Sequence, residues 1–254
     1  MTDSLSEKMK DQDRTPPALS ARALGLASKI FLKVYYKIVE NHPLIDRVVR
    51  YRDPKKYWQR RGGDRYFAEQ EAVADRTLRS QFIAGQIKNL PFRSLLEIGC
   101  GYGKQLKNIH LKGLFLAGCD FSHSQLLKAK EYCPEVASRL VEADAEALPF
   151  EDKSFDLVLS SAVILHNEMP KAKKIISEMF RISRRYLVHN EDTDLTFSRY
   201  GYDMKKTYEQ LNFKILGSRE IPTAADPSKT QFTIVELDSS SVFVKPEEIP
   251  LQHH

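Results

Sequence analysis

Three glycines at alternate positions, a set of acids at the ends of apolar runs and one histidine are the residues of this 254-residue chain whose types and spacing could do chemistry together. The stretch Leu95-Leu96-Glu97-Ile98-Gly99-Cys100-Gly101-Tyr102-Gly103 takes an apolar run into an acid, then glycine at every second place, then a helix-like segment from Lys104 to Leu111. Glycine lets a backbone turn tightly and approach a ligand, so strand, glycine turn and helix start read as the opening of a nucleotide-binding βαβ unit. Glu97, two residues before the first glycine, stands where a carboxylate can receive a ligand's cationic amino group. Asp120 ends the next apolar run, Leu114 to Cys119, where an acid can reach ribose hydroxyls. His166 follows the fourth apolar run. An imidazole is the side chain whose unperturbed pKa falls near neutrality, so this residue is a candidate general base, with packing or a structural hydrogen bond as the alternative.

Past the glycines, the sequence continues with G-C-D-F-S-H-S-Q-L at Gly118 to Leu126 and E-A-D-A-E-A-L-P-F-E-D-K-S-F-D-L-V-L-S at Glu142 to Ser160. With the glycine stretch, this ordered set resembles the S-adenosylmethionine (SAM) dependent methyltransferases of the Rossmann-like, class I type, over roughly residues 57–191. The resemblance implies SAM as cofactor. It implies that Glu97 and the backbone at Gly99 and Gly101 hold the methionine part, that Asp120 holds the ribose, and that Asp144 with Ala145 meets the adenine. It also places Phe121 and Ser160 beside the cofactor. The segment Tyr57-Trp58-Gln59-Arg60-Arg61-Gly62-Gly63 is similar to an aromatic–arginine element common before the core domain, so Tyr57 and Arg61 join the cofactor-binding candidates. A surface turn with one buried tryptophan explains the same segment equally well.

These residues need elements to hold them. Alternating strand and helix patterns predict an α/β fold with a seven-stranded, mostly parallel sheet, flanking helices and a C-terminal antiparallel strand pair. The expected strands are 95–98, 114–120, 139–143, 155–160, 185–189, 213–220 and 231–237. A helix capped by Ser122 runs to Tyr132 and stops before Pro134, and another starts at Pro170. Residues 69–89 read as one amphipathic helix. Four regions are expected: a disordered tail at 1–17, a helical extension at 18–90, the cofactor domain at 91–240 and a loose tail at 241–254.

Residues 1–65 hold 15 Lys or Arg against 8 Asp or Glu, so the net charge of +5 is carried by the N-terminal arm and not by the catalytic region. A general nucleic-acid surface is therefore not expected. Within that arm Leu19, Ala23, Leu26, Ile30, Val34 and Ile38 form one helical stripe edged by Arg22, Lys29 and Lys33. Such a helix folds back as a lid over the cofactor or makes a peripheral membrane contact; its pattern suits both. Three cysteines without metal-type spacing, and no secretory or membrane-spanning pattern, lead to an expected cytoplasmic protein with reduced thiols.

On the acceptor side, the sequence lacks the Asn/Asp-Pro-Pro-aromatic segment, the Pro-Cys pair and the paired glutamates carried by resembling nucleic-acid and protein-arginine methyltransferases. His166 is the candidate catalytic residue. The cluster His189-Asn190-Glu191-Asp192-Thr193-Asp194 offers a substrate grip or second base, whereas one sequential run seldom encloses a metal, so no metal is assigned. Tyr200 and Tyr202 are candidates to close over an acceptor. The expected function is methyl transfer to a small-molecule or lipid/saccharide acceptor at oxygen. Two rivals stand beside it. An NAD(P)-dependent oxidoreductase shares the glycine turn but predicts G-x-G-x-x-G, with the third glycine one place later. A catalytically silent SAM-fold adaptor would keep the motifs without turnover.

Overall fold

The computed structural model describes residues 54–196, 199–221, 229–238 and 243–253. The expected tail at 1–17 and the lid or membrane helix at 18–40 lie outside the described residues. Among the described residues three helices come first: α1 (Pro54–Arg61), α2 (Asp64–Glu71) and α3 (Ala74–Lys88). The single helix expected over 69–89 is therefore two. Val73 adopts an extended backbone (φ −105°, ψ 104°) that ends α2 and re-aims the chain into α3.

The sheet is built from β1 (Ser94–Ile98), β2 (Phe115–Asp120), β3 (Leu140–Glu142), β4 (Phe155–Ser161), β5 (Ser183–Asp192), β6 (Lys214–Ile221) and β7 (Thr230–Glu236). Its order is β3-β2-β1-β4-β5-β7-β6. Pairings across β3-β2-β1-β4-β5 are parallel, and β7 runs antiparallel to both β5 and β6. This is the expected seven-stranded class, although β7 alone is reversed. A dinucleotide oxidoreductase sheet of the order 3-2-1-4-5-6 has no such inserted strand.

Strands covered on both faces read as largely apolar runs, and β1 and β4 do so at Leu95, Leu96 and Ile98 and at Leu157, Val158 and Leu159. Leu96, Ile98, Val158 and Leu187 face one buried layer, while Leu95, Leu157, Leu159 and Val188 face the other. The helices α4 (Lys104–Ile109), α5 (His123–Tyr132), α6 (Met169–Ile182) and α7 (Met204–Gln210) complete the fold. Ala172, Ile175, Ile176, Met179 and Phe180 recur at the spacing of one helix face, which buries α6 against the sheet and leaves Lys171, Lys173 and Lys174 outward. Cys100, Cys119 and Cys133 are buried free thiols in these layers.

Two expectations need correction. β5 does not stop at His189 but runs to Asp192, because β7 continues to pair with it through Asp192 and Thr230. Nor is the C-terminal segment loose: Val244, Ile249 and Leu251 are buried in the core, and Ser177 Oγ donates to the Val244 carbonyl at 2.8 Å. Three apolar residues hidden among prolines and glutamates supply enough burial to dock it. Ile249→Ala is expected to lower stability by about 2–4 kcal/mol, read as a shift of the denaturation midpoint. An unchanged midpoint would mean that the segment contributes no burial in solution.

Candidate active site

A cleft of about 240 Å³ opens at the carboxyl ends of the strands, beside the switch point where the chain leaves β1 for β2 on one side and returns as β4 on the other. The glycine loop forms its floor. Gly99, at φ 61°, takes the left-handed backbone that glycine alone adopts freely, and a Cβ there would sit 2.4 Å from Val163 Cγ2. Asp120 ties this loop to β2. Its Oδ2 accepts the Gly101 N–H at 2.9 Å and its Oδ1 the Ser122 N–H at 2.8 Å. Burial nevertheless outweighs those donors and pushes the Asp120 carboxyl up to about 6.

The wall beyond β3 carries Asp144, Ala145 and Glu146. Arg181 on α6 holds this loop by donating to the carbonyls of Leu148 and Phe150, while Glu178 accepts the Leu148 N–H. Asp144 accepts the Glu146 N–H on one oxygen and pairs with Lys55 Nζ at 2.9 Å on the other. Partial burial raises its carboxyl, but the Lys55 ammonium and the backbone donor prevail and hold it below the usual range. Being half exposed, the ion pair is worth only about 0–1 kcal/mol. The Lys55 ammonium also lies 5.9 Å from the Phe121 ring centre.

His166 closes a 3₁₀ turn (Ile164–His166) after β4 and lines the cleft. Its ring lies 5.3 Å from that of Trp58 on α1. α1 and α2 reach this position because Gly62 permits contact with α5: a Cβ there would sit 2.4 Å from Ser124 Oγ and 2.9 Å from Ser122 Oγ. Asp64 adds an ion pair to Lys128 at 2.7 Å.

Of the residues singled out from sequence, Gly99, Gly101, Asp120, Phe121, Asp144, Ala145 and His166 are brought together around this one cleft. Four are not part of its lining. Tyr57 is buried, with Trp58 and Tyr66 presenting the aromatic surface instead. Arg61 pairs with Glu69 at 2.5 Å and lies 5.6 Å from the Tyr57 ring centre. Ser160 is buried and donates to Glu191, so Ser161, one place on, faces the cleft. Glu97 lies beneath the glycine loop, buried, accepting from the backbone of Leu106. Burial, with the nearby Asp120 adding to it, raises Glu97 well above the carboxylate range, and its Oε2 has no protein partner.

Sequence reasoning missed Gln125, Asn167 and Lys171 in the lining. Gln125 is 3% exposed and its Oε1 has no protein partner. The helix spacing of α5 carries no signal for it, since buried and cleft-facing positions share a stripe.

The 189–194 cluster scatters rather than converges. His189 is fully buried in β5 with Nε2 2.6 Å from the Tyr208 hydroxyl, and burial lowers it to about 3, so it stays neutral and cannot serve as a second base. Asp192 pairs with Arg199 at 2.6 Å and accepts from Thr230 Oγ1. Among the described residues no three His, Cys, Asp or Glu side chains form a metal-holding group. Tyr200 and Tyr202 are buried rather than poised as a flap: Tyr202 donates to the Asn167 carbonyl at 2.9 Å, and its ring stacks on His253 at 5.0 Å.

The donor set fits an adenosyl cofactor. Glycine backbone clears space, Asp120 and Asp144 offer acceptors for hydroxyl and amino groups, and Phe121 offers an aromatic ring beside them. Residues 96–186 match the family described as a methyltransferase domain. Over 95 residues the chain is 34% identical to phosphatidylethanolamine N-methyltransferase of Cereibacter sphaeroides, covering 36% of this chain and 45% of that one. It is 35% identical over 94 residues to demethylmenaquinone methyltransferase of Beutenbergia cavernae, covering 37% and 38% respectively. The chain thus spans less than half the length of these relatives. Among solved structures, magnesium protoporphyrin IX methyltransferase from Synechocystis PCC 6803 with bound SAM aligns over 83% of this chain and 97% of that one, with a TM-score of 0.55 at 18% identity.

Proposed function

We propose that this chain, whose residues 96–186 match the methyltransferase-domain family, is a SAM-dependent class I methyltransferase that transfers a methyl group from SAM to an oxygen of a small-molecule or lipid/saccharide acceptor. The observation that carries the reading is the convergence of Gly99, Gly101, Asp120 and Asp144 on one cleft that His166 also lines. SAM would supply an electrophilic methyl on a sulfonium centre. The chain's part is to bind, align and keep water out, with no covalent intermediate required.

In this reading Asp120 accepts the ribose hydroxyls with the lone pairs its backbone bonds leave available. Asp144 accepts the adenine amino group, sharing its carboxylate with Lys55 or displacing it. The unpartnered Gln125 oxygen is the acceptor available to the methionine end, and Glu97 supports the glycine loop from beneath. Trp58 and Tyr66 cover the acceptor side, and His166 takes the proton from the acceptor hydroxyl. The lipid and the quinone in the names of the similar proteins support an apolar acceptor, while oxygen as the methylated atom rests on His166 lining the cleft. The oxidoreductase alternative has no use for the inserted β7 or for Asp144.

Incubation with methyl-labelled SAM and separate polar-metabolite and lipid fractions tests the proposal. Label is expected in a product of one fraction, with S-adenosylhomocysteine formed in step. Binding of SAM without transfer to any fraction would favour the silent-adaptor reading.

A further inference from the structure

The hydrogen bonds of the turn from Ser161 to Asn167 converge on a side chain that has no part in the chemistry above. Glu191, fully buried near the end of β5, accepts the Ser160 hydroxyl at 2.5 Å and the Val163 N–H at 3.3 Å on Oε1. Its Oε2 accepts the Leu165 N–H at 3.2 Å, and the Ile164 backbone adds a further bond. Successive N–H groups aimed at one carboxylate make an anion nest, and bonds to a charged acceptor are roughly twice as strong as neutral ones.

The flanks of the turn are held differently. Ala162 N–H donates to the Asn190 carbonyl at 2.9 Å, Tyr200 N–H to the Leu165 carbonyl at 2.8 Å, and the Tyr202 hydroxyl to the Asn167 carbonyl. None of these takes the inward N–H groups at 163–165. The turn also stores strain, because Ala162 lies at φ 57°, a conformation that a side chain tolerates only where its surroundings dictate it. Finally, the turn touches both halves of the cleft. Val163 fills the space that the missing Cβ of Gly99 leaves, and the His166 ring lies beside that of Trp58 at 5.3 Å, tilted by 49°.

The geometry points to Glu191 as a positioning residue that pins the 163–165 backbone, and so keeps Val163 against the glycine loop and His166 at the cleft. Glu191 acts only through the turn. Its consequence for turnover rests on the methyltransferase reading, but the pinning itself does not and is measured without SAM. Burial lifts its carboxyl to about 7 despite four donors, which marks how completely the protein surrounds it.

The test uses Glu191→Gln in the full chain, where an amide N–H₂ must face a backbone N–H. Amide hydrogen exchange at Val163 and Leu165 is expected to quicken by ~10-fold or more, while amides of β1 and β2 keep their wild-type rates. A second readout comes from Trp58, the chain's one tryptophan. Wild-type fluorescence should show a quenching step as His166 takes up a proton beside the indole. His166→Gln should abolish that step, and Glu191→Gln should weaken it by letting the two rings part. Wild-type exchange at 163–165 together with a wild-type step would overturn the proposal. So would faster exchange spread evenly over the sheet, which would signify general destabilisation. Should Glu191→Gln fail to fold, Glu191→Asp, which withdraws the carboxylate by one methylene, is read by the same two criteria. A wild-type protein that binds no SAM would sink the methyltransferase reading and leave these two results standing.

Discussion

Replacing His166 with alanine is expected to lower methyl transfer by ~10²–10⁴-fold, the usual range for removal of a general base. SAM affinity should change little, because the residues assigned to the cofactor lie on other loops. The expectation has a structural basis: His166 lines the cleft, its ring is fixed beside Trp58, and its turn is anchored from β5. The other groups considered for proton transfer do not line the cleft. His189 is buried, neutral and bonded to Tyr208, while Glu191 is turned inward onto the 163–165 backbone. His166→Gln should rescue poorly, since an amide can hydrogen-bond but cannot take the proton. Near-full turnover in the glutamine variant would reduce the residue to packing and leave alignment alone as the catalytic device.

Asp120→Ala is expected to weaken SAM binding by roughly 1–3 kcal/mol, the cost of losing a charged acceptor. Part of that loss is indirect, because Asp120 also secures the Gly101 and Ser122 N–H groups and thereby the glycine loop. The same carboxylate gives the binding a pH dependence with a definite sign. Burial raises Asp120 to about 6, so the ionised form that accepts ribose hydroxyls prevails above that value. SAM affinity should be level above neutrality and fall as the pH drops through about 6. Asp120→Asn should flatten that limb. Unchanged affinity in a folded Asp120→Ala protein would remove the residue from the site.

The strands and the cofactor loops were legible because their signals are local. Apolar runs that end at Glu97, Asp120 and Ser160 report buried parallel strands, and alternate glycines report a backbone that must clear space. What escaped the sequence depends on contacts between distant segments. Nothing local tells that β7 would extend β5 through the polar residues 189–192, turning a presumed loop into strand. The burial of Val244, Ile249 and Leu251 is likewise decided by α6, almost seventy residues upstream. At the site, the aromatic–arginine element was recognised, yet helical phase put Trp58 rather than Tyr57 on the cleft. Ser160 and Ser161 differ by one step along a strand, and that step reverses which side chain faces the cleft. Gln125 was invisible because its role follows from being buried beside the glycine loop, a fact of packing alone.

A cleft built for SAM binds it and its demethylated product and leaves a nicotinamide cofactor out. The most direct measurement is calorimetric titration of the same protein with SAM, with S-adenosylhomocysteine and with NADH. Saturable one-site binding of both sulfur cofactors, weakened in Asp120→Ala, with no heat from NADH, is the predicted result. Tight NADH binding with no SAM signal would make the cleft a dinucleotide site instead.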